Sequence, residues 1–354
     1  MASGEAQDLS VLQKLSDSQF SNKYPNEWAQ VVSTVSSPIT VPSRSRQNQT
    51  IQGEKIRVLE YNILRNLQYD RLETLLTRCQ DLPKHAKSTL DAQDLEQLCQ
   101  LSKADILLLN EVDRGHCRSE YRDGAESLAS AMGFHYSYAI EFLEVHAKST
   151  GLEDGDGPLC RKGMVRADAK NQHGNAVLSR FPIVTSERIE LTPCFDWFTN
   201  GGDQTRRGGR MALVTEIQLP EPHKSILAVS VHLENKTNPE CRNQQMQTLL
   251  SAIERIETQK GRKMDVIIGG DMNTILASSG TMKDLWKKNL YDYGFNDGST
   301  LMFMRLDYIV TKDSGAPQSK AFRAMSGVTA NFVKEKLQTI SDHTPIYVDV
   351  NLKP

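Results

Sequence analysis

The chain is 354 residues long, 38% hydrophobic and 24% charged, with a formal net charge of -2. That length holds one large α/β domain or two ordinary ones, and the near-neutral balance excludes a bulk electrostatic grip on nucleic acid while leaving room for a local basic face. No apolar run approaches the roughly 18 residues of a transmembrane helix, and MASGEAQDLSVLQKLSDSQF has neither the basic start nor the apolar core of a secretory leader. A cytoplasmic monomer is the expectation.

Residues 1–53 are rich in Ser, Gln, Asn and Thr and end in VPSRSRQNQTIQG. Such a composition buries too little apolar area to offset its ordering entropy, so the segment is expected to be a flexible polar arm. Two apolar islands, Val11–Leu15 and Trp28–Val32, have the character to dock as short helices. Six cysteines (Cys79, Cys99, Cys117, Cys160, Cys194, Cys241) lie far apart with no CxxC pair. They are expected to be buried or free thiols in a reducing compartment, not a disulfide frame or a zinc site.

From Lys55 onward strands and helices alternate. KIRVLEYNI reads as a buried strand, YDRLETLLTRC and DAQDLEQLCQL as helices with Leu on one face, ADILLLNEV as a buried strand, GAESLASAMG as a short helix stopped by Gly133, and FHYSYAIEFLEV as a strand. A Gly- and charge-rich loop over 146–172 follows. Strands resume at GNAVLS, RMALVTEIQL, SILAVSVHL, DVIIGG, LDYIV and TPIYVDV, with a long helix from about Pro239 to Thr258. The alternation predicts one α/β domain over 54–354 with more than one sheet.

Polar residues cluster where the apolar strands stop. Asn62 follows VLEY, Glu111 follows ILLLN, His232 follows AVSV, Asp271 and Asn273 follow VIIGG, Asp307 sits in RLDYIV, and Asp342 with His343 opens the last strand. Singly, each can be a turn former or a satisfied core polar group. Jointly they describe a cleft at strand ends, where a rigid frame holds side chains in place. Carboxylate and amide oxygens without cysteine suit a hard cation, Mg²⁺ or Mn²⁺. Beside two histidines, such a cation suits hydrolysis of a phosphate ester. There is no GxxxxGK[ST] loop and no GxSxG elbow, which argues against a P-loop NTPase or an α/β-hydrolase.

EYN, LLLNEVD, HGNAVLSRFPI, VSVHL, IIGGDMNT, RLDYIV and SDHTPI, in that order, closely resemble the endonuclease/exonuclease/phosphatase superfamily of DNase-like phosphodiesterases. The resemblance implies a four-layer α/β sandwich: two stacked mixed sheets flanked by helices, with the site at one end. It implies Asn62, Glu111 and Asp342 as metal ligands, with Glu111 the principal one. Asp271 would orient or deprotonate the attacking water, and Asn273 and His232 would bind phosphate oxygens. His343 would face the scissile phosphate, held by Asp307. Asn175, Arg180, Arg210, Arg242 and Gln245 are expected to be structural supports.

Two departures bear on substrate. Leu64 stands where many members carry a polar or acidic residue, which points to one metal held mainly by Glu111. The stretch between Asp271 and Asp307 is short, removing part of a wall that often contacts nucleic acid. Loops 146–172 and 195–211 are expected to rim the cleft, with Arg206, Arg207 and Arg210 near Trp197 and Phe198 read either as a phosphate-binding, stacking rim or as scattered charges on a solvated flexible loop. The expected activity is Mg²⁺-dependent phosphodiester hydrolysis of nucleic acid. A phosphatase or phospholipase-type enzyme acting on a lipid head group or small phosphoester is the alternative, and a catalytically silent binding module a remote one.

Overall fold

The computed structural model describes residues 14–17, 19–23, 25–43, 51, 55–82, 92–155, 157, 159–274, 291–292, 306–312, 321–323 and 340–352. Among these, the strands form two sheets. The first runs β1 (Ile39–Val41), β4 (His135–Glu144), β5 (Gln172–Ser179), β3 (Ile106–Arg114), β2 (Lys55–Asn62), β14 (Ile346–Asn351), β13 (Ala321–Arg323), with β7 (Arg206–Gly208) beside β4. The second runs β11 (Tyr291–Asp292), β12 (Asp307–Lys312), β10 (Val266–Asp271), β9 (Ile226–Val231), β8 (Met211–Ile217), β6 (Ile183–Glu190). Both are mixed: β2 lies parallel to β3 and β9 parallel to β10, within otherwise antiparallel pairing.

The two-residue period of a strand sends alternate side chains to opposite faces. In β2, Ile56 and Val58 enter the core between the sheets, with Ile106, Leu108, Val177, Ala228, Ile267, Ile309, Ile346 and Val348. Leu59 and Tyr61 point the other way, into a core shared with α1 (Pro25–Ser36), α2 (Tyr69–Thr77), α3 (Ala92–Cys99) and α4 (Gly124–Met132). Beyond the short α5 (Trp197–Asn200), the outer face of the second sheet is covered by α6 (Pro239–Lys260), through Met246, Leu249, Ile253 and Ile256 at three- and four-residue spacing. Asn238 caps α6 by accepting the Cys241 N–H, Pro239 occupies its first turn, and Gly261 ends it at φ 65°. The result is helix, sheet, sheet, helix: the four layers the resemblance implies.

Along the same inward-facing rows, character changes from apolar to polar toward one end of the sandwich. In β2 the row reads Ile56, Val58, Glu60, Asn62, and in β9 it reads Ala228, Ser230 and then His232. In β10 it reads Ile267, Gly269, Asp271, and in β12, read backward, Ile309 then Asp307. The strand period therefore delivers these groups to one place. Close approach of β10 to β9 is part of the arrangement, because a Cβ on Gly270 would lie 1.7 Å from the Val231 carbonyl oxygen.

One sequence expectation is corrected and one is refined. The cysteines are not free thiols: all six are paired, as Cys79–Cys99, Cys117–Cys160 and Cys194–Cys241. Spacing alone was silent because the partners meet only after the helices and loops pack. The 1–53 arm is not flexible throughout. Residues 25–36 form α1 and 39–41 join the first sheet as β1, while Leu15 and Val31 are buried. The two apolar islands thus help cover a sheet that their polar neighbours could not. No helix among the described residues is long and apolar enough to cross a membrane. The chain between Asn273 and Asp307 that was read as a shortened wall lies mostly outside the described residues.

Candidate active site

Each site residue is set by a strand end or, for Glu111, by a bulge within a strand. Asn62 closes β2. Glu111 sits where the β3–β5 register slips between Leu109 and Val112, and its φ of 54° marks the bulge. His232 follows β9. Asp271 ends β10 directly opposite Asp307, which opens β12. Because β14 runs antiparallel to β2, residues 341–343 pass the end of β2, where the Ser341 hydroxyl donates to the Asn62 carbonyl (2.6 Å) and accepts the His343 N–H (3.1 Å).

These ends converge on the Asp271 carboxylate. His232 Nε2 lies 3.5 Å from Asp271 Oδ2, His343 Nε2 3.7 Å and Asn62 Nδ2 3.4 Å. The Asn273 backbone N–H donates to Asp271 Oδ1 at 2.9 Å. On its far side, His343 Nδ1 is 2.8 Å from Asp307 Oδ2. Burial, reinforced by Asp307 and Glu111 and opposed by His343 and the Asn273 amide, pushes the Asp271 carboxyl up to about 7. Burial would lower His343, but Asp307 and Asp271, with the Asp307 hydrogen bond, hold it well above its ordinary value as an imidazolium. His232 goes the other way: burial, then the nearby Arg210, His173 and His343, keep it neutral. Two histidines thus flank one carboxylate in opposite charge states.

Glu111 is the best-suited cation ligand. Burial would raise its carboxyl, but His173, Arg65, His343 and the Asn62 side chain lower it below the usual range. Its buried Oε2 has no hydrogen-bond partner, and Arg65 Nε stands 3.6 Å away. An orphaned carboxylate oxygen beside the Asn62 amide fits a single hard cation. Asp342, expected as a third ligand, has an exposed side chain. The cluster Asp271, Asp307 and His343 is compact enough for a metal. Its histidine lies between two carboxylates, Asp307 and Asp271, that favour the charged imidazole.

The expected supports are found in that role. Arg180 pairs with Asp105 at 2.6 Å and Arg210 with Glu141 at 2.7 Å, while Gln245 bonds the Glu234 N–H and the Thr192 carbonyl. Arg242 donates to the Glu234 and Thr237 carbonyls. Asn175 accepts from Asn110, whose Nδ2 also reaches Ser230 and whose Oδ1 holds the Asp271 N–H, so one amide ties four strands together behind the site. One rim expectation changes. Arg207 donates to the Leu15 and Asp17 carbonyls, which turns it to the N-terminal segment and away from the cleft. Asn273, expected to bind a phosphate oxygen, gives one of its two side-chain N–H groups to the Leu233 carbonyl at 2.9 Å.

Sequence reasoning missed Glu60, Asn110 and His173, although each lies on an inward row whose parity was readable. Both Glu60 carboxyl oxygens are buried without hydrogen-bond partners. Burial, Asp307 and Asp271, only partly opposed by His343, hold the group well above the usual carboxylate range. His173 Nδ1 is 2.8 Å from Asp113 Oδ1, and Arg118 grips Asp113 through two bonds of 2.6 and 2.8 Å and Glu144 at 3.1 Å.

This buried network makes acid lability an expected property. Burial and Arg118 lower the neutral His116 to about 3, and Arg118 and Arg206 overcome burial to bring Glu144 to about 2. The unfolded chain takes up the His116 proton below about 6.5 and the Glu144 proton below about 4.3. Both contributions are therefore complete at pH 7 and shrink as pH falls. Urea unfolding should show roughly 2 kcal/mol lost between pH 7 and 5 through His116. His116→Asn, whose amide oxygen can still accept the Arg118 N–H, should flatten that slope, and an unchanged slope would contradict the assignment.

Glu111 and His232 open into a cavity of about 340 Å³ also lined by Arg65, His173, Trp197, Arg206, Arg210 and Lys236. Residues 59–343 match the Endonuclease/Exonuclease/phosphatase family. None of the curated protein sequences matches significantly. Among solved structures, the human Nocturnin catalytic domain with bound sulfate is similar at 19% identity and a TM-score of 0.55, covering 90% of this chain and 97% of that one. ANGEL2, described as a 2',3'-cyclic phosphatase, is 16% identical at a TM-score of 0.49, covering 86% of this chain and 100% of that one. With the match spanning most of its length and the two-sheet sandwich in place, the chain belongs to the endonuclease/exonuclease/phosphatase family, whose members hydrolyse phosphoester bonds.

Proposed function

We propose that this protein is a Mg²⁺-dependent phosphodiesterase that hydrolyses its substrate by in-line attack of water, with nucleic acid the favoured substrate. The observation that carries the reading is the convergence of Asp271, neutral His232, the Asp307–His343 pair and the unsatisfied Glu111 oxygen at one end of the sandwich. Glu111 and Asn62 would hold the cation, and Mg²⁺ there would neutralise charge on the phosphoryl oxygens.

The remaining work falls to side chains. Asp271, when ionised, accepts a proton from water and orients it, with its own Oδ1 fixed by the Asn273 N–H. Neutral His232 donates one hydrogen bond to a non-bridging oxygen and brings no charge of its own. Asn273 gives its main-chain N–H to Asp271 and one side-chain N–H to Leu233, and its second side-chain N–H would serve the phosphate. His343, charged and held by Asp307, faces the negative charge that develops in the transition state. Pairing of all six cysteines favours an oxidising compartment as the place of action over the cytoplasm.

A panel of single- and double-stranded DNA, RNA, inositol phosphates, sphingomyelin and bis-p-nitrophenyl phosphate, with Mg²⁺ or Mn²⁺ and His343→Ala as blank, tests the reading. Cleavage confined to small phosphoesters would remove the nuclease assignment. Binding can be read without activity. At 100-fold excess over Kd, Mg²⁺ should stabilise the wild type by about 2.7 kcal/mol, seen as a raised Tm that Glu111→Gln loses. A Tm indifferent to the metal would favour a silent binding module.

A further inference from the structure

Arg206 is an under-satisfied buried cation. It is 5% exposed and clamped between Phe142 and Trp197, its guanidinium carbon 3.9 and 3.7 Å from the two ring centroids. Its Nε has no hydrogen-bond partner. The carboxylate beside it, Glu144 Oε1, stands 3.8 Å from Nη1 and is already bonded by Arg118 at 3.1 Å. Burial lowers the guanidinium to about 10, leaving it charged at neutral pH. A cation held in one orientation by two rings, with an unbonded Nε and its nearest carboxylate 3.8 Å away and shared with Arg118, is a ready anion receptor.

Arg206 also lines the cavity that contains Glu111 and His232. Lys236 and Arg65 add positive charge to the same walls, whereas Arg210 is committed to Glu141 at 2.7 Å. The cleaved phosphate belongs at Glu111, Asp271 and His343. Arg206 lines the same cavity as Glu111 and His232, its guanidinium stacked on Trp197, and so is placed to take a second group.

We infer that the Arg206 wall is a subsite for a second phosphate, a terminal phosphomonoester that the substrate carries close to the phosphoester being cleaved. This rests on the phosphoester hydrolase reading and names a feature of its substrate. A 5'-phosphorylated oligonucleotide and a bisphosphorylated polyol share that chemistry, and the test separates them.

Binding is measured by calorimetry on His343→Ala protein, which holds substrate without turning it over. The pairs are a dinucleotide with and without a 5'-phosphate, and inositol 1,4-bisphosphate against inositol 1-phosphate. The second phosphate should tighten binding roughly 10- to 100-fold in one pair, the range of a charge-assisted hydrogen bond, and the pair that responds identifies the source. Adding Arg206→Gln should shrink the gap to about threefold or less. Arg206→Lys, which keeps the charge and loses the fork, should retain part of it, and serves as the variant if Arg206→Gln melts early. Equal affinities within both pairs, or a gap that survives both substitutions, would overturn the proposal. Should the gap appear while wild-type protein cleaves no phosphoester, the hydrolase reading fails and the subsite stands. Cleavage with no gap has the opposite meaning.

Discussion

Asp271→Asn is expected to lower turnover of a phosphodiester by about 10²–10⁴-fold, the loss typical of a general acid–base group, while raising Tm in metal-free buffer at pH 8. The two effects share a cause. Asp271 is buried beside Asp307 and Glu111, and its carboxyl is pushed up to about 7. Above that pH the folded protein carries an ionised carboxylate it would hold more comfortably in the unfolded chain, so the native residue costs stability. An Asn side chain keeps an oxygen for the Asn273 N–H now bonded at 2.9 Å and removes the charge, but cannot accept a proton from water. Loss of activity with gain of stability is the signature of a residue retained for chemistry. Near wild-type turnover would show that another group is the base, whereas a lower Tm would show that Asp271 is a structural ion partner of His343. His343→Ala should fall into the same range of lost activity without the stability gain, because it removes the imidazole that bonds the 1% exposed Asp307 at 2.8 Å.

Reduction of the three disulfides is expected to have the largest effect on stability. They close separate segments with sequence separations of 20, 43 and 47 residues, and chain-entropy reasoning assigns about 3 to 4 kcal/mol to each. The summed loss is comparable with the whole stability of an ordinary domain. Denaturant unfolding with and without dithiothreitol should show a large drop, and an unchanged midpoint would mean the bonds are dispensable. Activity should be touched too. Cys117–Cys160 fastens the 146–172 loop next to Arg118, the residue that holds Asp113 and through it His173. Cys194–Cys241 ties the segment leading into Trp197 to the start of α6, so its loss should loosen one wall of the Arg206 cavity. Paired variants, Cys117→Ser with Cys160→Ser against Cys79→Ser with Cys99→Ser, would separate an effect on the cleft from one on the α2–α3 layer.

Much of the architecture was local information. Strands such as Lys55–Asn62 and Val266–Asp271 are dense runs of branched apolar residues. The long helix was expected from about Pro239 to Thr258, and its start at Pro239 matches the structure. The 183–190 strand and the docked β1 went unread, because their half-exposed, polar sequences carry no strong period. Site residues were visible where an apolar run ended on a carboxylate, an amide or an imidazole. Glu60, Asn110 and His173 were overlooked because each lies inside a strand, where only the parity of its inward neighbours marks it.

What the sequence determined by itself is the kind of chemistry available: hard oxygen donors, two histidines and paired carboxylates at strand ends, in the order of one family. Tertiary structure decided their states. His232 follows one strand and His343 precedes another. Burial lowers both; Arg210 adds to it at His232, whereas Asp307 and Asp271 outweigh it at His343, so one is neutral and the other charged. The cysteine pairing, the diversion of Arg207 to the N-terminal segment and the isolation of Arg206 between two rings depend on contacts between segments far apart in the chain. Those contacts arise from packing, which no short stretch of sequence encodes.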